Sequence, residues 1–161
     1  MPQHPPTCLI VEDSEADRFA LRRVLLKLAP ELRIAMATSL VEARQHLAAG
    51  RIDFVVLDNS LPDGNGADFV LDLSRNAAFA DIPVLLVTGW PSPFLFAKAR
   101  EAKVRHVVAK DQLRGDVTLA LFRECIAAAK SVDRPDRNME RGPVAPVTER
   151  QRARARRVDR R

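Results

Sequence analysis

Five short apolar runs, each followed by a stretch with helical spacing, constrain this chain more than any other feature. The runs are residues 8–11, 33–37, 54–57, 84–87 and 106–109; the second is the weakest. Runs apolar at every position, such as 54–57 and 84–87, have no solvent face. Such strands belong in a parallel sheet covered by helices on both sides. The intervening stretches fit helices. Residues 14–29 place Phe19, Leu21, Leu25 and Leu28 at helical intervals before Pro30 closes the segment. Residues 40–49 end at Gly50, a natural helix stop. Further helices are predicted near 67–75, about 93–102 and over 117–130. Five βα units of this size give an α/β fold with an open, doubly wound five-stranded parallel sheet. Right-handed crossovers limit its topology, and ligands in such sheets bind beyond the carboxyl ends of the strands.

That rule directs attention to the residues closing each strand. Glu12 and Asp13 follow the first, Asp58 the third, Thr88 the fourth and Lys110 the fifth. If the first and third strands are neighbours, three carboxylates gather at one edge. Their mutual repulsion must be relieved by a proton or a cation. Hard oxygen ligands with open positions favour Mg²⁺, which keeps waters and also binds a substrate phosphate. Lys110 adds a positive point charge and Thr88 a hydroxyl. A carboxylate, a metal site, a lysine and a hydroxyl suit phosphoryl transfer onto an aspartate. Asp58 would attack, because a carboxylate can form an acyl phosphate. Mg²⁺ and Lys110 would neutralise the transferring group.

The ordered elements 9–13, 55–58, Leu61-Pro62 with Gly66, 87–89 and Lys110 together resemble the response-regulator receiver family over residues 7–130. The resemblance implies a flavodoxin-like (βα)5 fold of strand order 2-1-3-4-5. It implies that Asp58 is the phosphoacceptor, with Asp13 and Asp58 binding Mg²⁺ directly. Glu12 would act through water, and the backbone carbonyl of Ser60 would complete the metal site. Lys110 would pair with a phosphoryl oxygen, Thr88 would swing toward it, and Gly89 would keep the site open. By the same resemblance the chain is no conventional enzyme but a phosphoacceptor with self-phosphorylation and self-dephosphorylation activity. Its partners would be a histidine kinase or histidine phosphotransfer protein and a downstream target protein.

Two positions depart from the family pattern. Many receivers carry Tyr or Phe three residues before the lysine; Val107 stands here, and alternation turns His106 to the other face. Trp90, Phe94 and Phe96 offer a substitute relay, ordinary packing or an exposed aromatic contact surface. Asp111 replaces the commoner proline after the lysine. Ser60 and Trp90 hold positions that tune phosphoryl lifetime in the family, and a bulky Trp90 could shield the acyl phosphate. His46 is expected as an exposed helix residue. The acids at 63–68 lack the spacing of a calcium loop, and no Gly-rich nucleotide loop is present.

Composition bounds the rest. Residues 134–161 carry ten arginines and four acids, a balance of +6, whereas residues 1–133 carry 16 basic and 17 acidic residues. The expected organisation is a flexible N-terminus at 1–6, a receiver at 7–130 and an Arg-rich, disordered tail at 131–161. The tail supports a competing function in nucleic-acid binding, but it lacks interleaved aromatics for base stacking. A phosphorylation-independent pseudo-receiver is a third reading. Cys8 and Cys125 have no metal-ligand spacing and are expected as small packing residues. The start of the chain lacks a signal-peptide pattern, and no apolar run approaches the ~20 residues of a membrane span. The expectation is a soluble, cytoplasmic, stand-alone regulator.

Overall fold

The computed structural model describes residues 4–104 and 106–131. The disordered tail expected at 131–161 lies outside them except for Ser131, which is helical. Five strands form one parallel sheet: β1 (Thr7–Val11), β2 (Arg33–Ala37), β3 (Phe54–Asp58), β4 (Val84–Thr88) and β5 (His106–Ala109). Their order is β2-β1-β3-β4-β5, the expected 2-1-3-4-5 arrangement. The helices are α1 (Glu15–Leu28), α2 (Leu40–Ala49), α3 (Gly66–Ser74), α4 (Pro93–Glu101) and α5 (Asp116–Ser131). A two-residue ladder pairs Ser60 with Asn65 and Leu61 with Gly64 between β3 and α3.

Strand alternation divides the core into two layers. Leu9, Val11, Val55, Leu57 and Leu86 face α2, α3 and α4, where they meet Leu47, Phe69, Leu73 and Ala99. Cys8, Ile10, Val56, Leu85 and Val87 face α1 and α5, against Leu21, Leu25, Phe122 and Ile126. All five residues of β3 are buried, as the run without polar alternation requires. Burying a large apolar side chain contributes about 1.5–3 kcal/mol, so these two layers dominate the stabilising side of folding.

Helix ends are fixed by named acceptors. Ser14 and Ser92 accept from the backbone of Asp17 and Leu95 at the starts of α1 and α4. Helix α2 is capped twice: Ser39 accepts from Glu42 N, and Asp63, distant in sequence, accepts from the N–H groups of Leu40 and Val41, each at 2.9 Å. Gly50 ends α2 in extended backbone, φ −161°, so its left-handed freedom is not what stops the helix. Pro6, assigned to the flexible N-terminus, is buried, and its carbonyl accepts from Arg33 N at 2.9 Å. Helix α5 extends one residue past the boundary drawn at 130. Cys8 is buried and Cys125 half-buried. Among the described residues, no helix is long and apolar enough to cross a membrane.

Candidate functional site

The register of the three central strands brings Glu12, Asp13, Asp58 and Thr88 to one edge. Val11 pairs with Leu57, and Asp58 with Val87, so the next residue of β1 and the last of β3 and β4 end side by side. Glu12 continues the β1–β2 ladder through its N–H to the Ala37 carbonyl, 3.0 Å away. Asp58 and Thr88 are the last residues of their strands rather than the first beyond them. Lys110 opens a short 3-10 turn (Lys110–Gln112) directly after β5.

Carboxylate oxygens of Glu12, Asp13 and Asp58 all lie within 4.8 Å of one another. Glu12 is fully buried, Asp58 is 4% exposed, and Asp13 opens to solvent. Lys110 Nζ stands between them, 2.9 Å from Glu12 Oε2 and 3.4 Å from Asp58 Oδ2. The Glu12 contact is an ion pair without hydrogen-bond alignment, and Oε2 has no hydrogen-bond donor among the described residues. The other oxygen, Oε1, accepts from Ser14 N at 3.0 Å. Burial pushes the Glu12 carboxyl up to about 7; Lys110 and the Ser14 N–H pull it back, and Asp58 adds to the rise. Burial also opposes the charge on Lys110, but Glu12, Asp17 and Asp58 outweigh it and hold its pKa above the usual lysine range.

Asp58 is fixed by its neighbours in the chain. Ser60 N donates to Asp58 Oδ1 at 3.3 Å. Asn59 clamps the start of α3, its carbonyl accepting from Gly66 N and its Oδ1 from Ala67 N. Gly66 is required there, because a Cβ would lie 2.5 Å from the Asp58 carbonyl oxygen. A Cβ on Gly89 would lie 4.0 Å from Lys110 Cδ, an ordinary contact. The Thr88 hydroxyl is buried and accepts from Trp90 N at 3.0 Å.

The structure decides three further points. Trp90, Phe94 and Phe96 are 84%, 70% and 46% exposed, which fits a contact surface and not an inward relay; nor does the Trp90 ring pack over the site as a shield. His46 is half-buried, with Nε2 3.1 Å from the Met36 carbonyl. Asp17, absent from the expected site, also enters it: its Oδ2 accepts from Lys110 Nζ at 3.0 Å. Only an acid one helical turn after Asp13 signals it. Val107 packs on the α2–α4 side, while His106 Nε2 lies 4.0 Å from Glu124 on α5, so the two face opposite ways.

The family model of the response regulator receiver domain matches residues 8–121. The chain is a member of the response regulator receiver family. The receiver is 35% identical over 80 residues to the cyclic di-GMP phosphodiesterase response regulator RpfG of Xanthomonas campestris pv. campestris, a match covering 50% of this chain and 21% of that protein. It is 36% identical over 103 residues to the DNA-binding transcriptional activator DevR/DosR of Mycobacterium tuberculosis, covering 63% and 46%. The chain thus matches about a fifth of the first relative and under half of the second. Among solved structures, it resembles the signal receiver domain of an HD domain-containing protein from Pseudomonas fluorescens Pf-5, with 25% identity and a TM-score of 0.66. That likeness covers 81% of this chain and 93% of the other. Receiver domains are phosphoacceptor signalling domains rather than conventional enzymes, and they bind Mg²⁺ at an acidic pocket. The donor set fits such an ion: three clustered carboxylates, one of them buried with an oxygen lacking a hydrogen-bond donor.

Proposed function

We propose that this receiver accepts a phosphoryl group on Asp58 and converts it into a change of protein contact. The observation carrying this reading is the convergence of the Glu12, Asp13 and Asp58 carboxylates beside the Lys110 ammonium. A carboxylate oxygen of Asp58 attacks the phosphorus of a phosphohistidine on a kinase or phosphotransfer protein. The new O–P bond forms as the P–N bond breaks, and its electron pair stays on the imidazole. Lys110 neutralises charge on the phosphoryl oxygens, and the Thr88 hydroxyl turns from Trp90 N–H to donate to one of them. Glu12, Asp13, Asp58 and the Ser60 carbonyl would hold Mg²⁺, which supplies further charge neutralisation when bound. Hydrolysis of the acyl phosphate resets the domain.

The output surface in this reading is the α4–β5–α5 face, and Phe94 and Phe96 expose further aromatic area on α4 to a downstream protein. The phosphoacceptor unit is residues 7–130, acting in the cytoplasm, with the Arg-rich residues 131–161 as a separate segment. The test is incubation with phosphoramidate and Mg²⁺, followed by intact-mass measurement. Wild type should gain one phosphoryl group and Asp58→Asn none; an unmodified wild type beside a competent control receiver would refute the proposal.

A further inference from the structure

Lys110 has three N–H donors and, among the described residues, three carboxylate neighbours. Their geometry is unequal. The Glu12 contact, 2.9 Å, is not aligned as a hydrogen bond, and the Asp58 contact is the longest at 3.4 Å. The contact to Asp17 Oδ2, 3.0 Å, is both short and aligned. The ammonium therefore makes its shortest hydrogen bond to a residue outside the acidic cluster at the strand ends.

Asp17 is poorly able to follow Lys110 elsewhere. It lies in the first turn of α1, with its N–H donated to Ser14 Oγ at 3.3 Å. The next residue anchors that turn to the end of β1, since Arg18 Nη1 donates to the Glu12 carbonyl at 3.0 Å. A lysine moving fully onto a phosphoryl oxygen at Asp58 must give up or lengthen the Asp17 contact. The Asp17 side chain is 43% exposed and that of Lys110 25% exposed, so water screens the pair and it can exchange.

We infer that Asp17 is a positioning residue that holds Lys110 in the unphosphorylated state and competes with the phosphoryl group for its ammonium. This rests on the phosphoacceptor reading of Asp58 and adds a restraint to it: the affinity of the site for a phosphoryl group is set partly from α1. An acid in the first turn of a helix also favours the helix dipole, but Glu15 occupies the same turn and gives a control for that effect.

The probe is beryllofluoride with Mg²⁺, which mimics the acyl phosphate, and bound against free fluoride is read by fluorine NMR. Asp17→Asn should bind about threefold more tightly than wild type, the ratio expected for loss of a partly exposed competing ion pair. Asp17→Glu, which restores the charge, and Glu15→Gln should both stay at the wild-type affinity. Unchanged or weaker binding by Asp17→Asn overturns the inference, as does an equal gain in Glu15→Gln. A wild type that binds no beryllofluoride overturns the phosphoacceptor reading itself, an outcome distinct from the other two.

Discussion

The α carbon of Gly66 packs so close to Asp58 that a Cβ would stand 2.5 Å from the Asp58 backbone oxygen and 3.0 Å from Asn59 Cα. Neither obstacle is a flexible side chain, so the backbone carrying Asp58 would have to move. Gly66→Ala should cost about 1–3 kcal/mol of stability, the usual range for overpacking. It should also slow phosphoryl uptake relative to wild type. Chemical denaturation and phosphoramidate labelling measure the two effects; a variant unchanged in both would show that the loop absorbs a methyl group freely.

Asp63 joins the β3–α3 loop to the start of α2. The Leu40 N–H foremost, and then that of Val41, hold its carboxyl below the usual carboxylate range. A depressed folded pKa means stability present above the unfolded pKa and lost as pH falls through the folded value. Asp63→Ala should therefore lower Tm at neutral pH, with the gap to wild type closing as pH falls through the folded pKa. A gap that persists in acid would assign the effect to packing instead.

Glu12 predicts the opposite sign. Its folded pKa of about 7 exceeds the ordinary 4.5, so the folded state binds the proton more tightly. Stability falls as pH rises between those values, and the penalty is complete above the folded pKa. A divalent cation favours the ionised carboxylate and offsets that penalty. Mg²⁺ should raise Tm more at about pH 8 than at about pH 5, and Glu12→Gln should flatten the apo pH dependence. Equal Mg²⁺ shifts at both pH values would contradict this assignment.

The aromatic residues after β4 separate surface from core. Phe94 is 70% exposed and Phe122 fully buried. Phe94→Ala should change stability by less than about 0.5 kcal/mol, whereas Phe122→Ala should cost about 3–5 kcal/mol. If Phe94→Ala also leaves beryllofluoride affinity unchanged, its role lies in contact with a partner. A large loss of affinity would restore the relay reading.

The sheet was legible because strands buried on both faces cannot carry polar alternation, and β2 and β5 fall on the expected residues. The acidic cluster was legible because each member closes or follows a strand whose neighbours the topology fixes. Contacts between distant segments were not. The bond from Asp63 to α2 spans 22–23 residues and that from Lys110 to Asp17 spans 93, so no local pattern announces either. His46 looked like a solvent-facing helix residue because its acceptor is a carbonyl on β2. The exposure of Trp90 and Phe94 was equally hidden, since an aromatic near a site can turn inward or outward.

The most direct measurement is to phosphorylate the protein with a small donor and Mg²⁺, reduce it with borohydride and map the modified peptide. Borohydride converts an aspartyl phosphate to homoserine, marking the acceptor. Homoserine is expected at position 58 alone, abolished by Asp58→Asn and strongly reduced by Lys110→Ala. A label at another acid, or none at position 58 in a folded, Mg²⁺-bound protein, would contradict this.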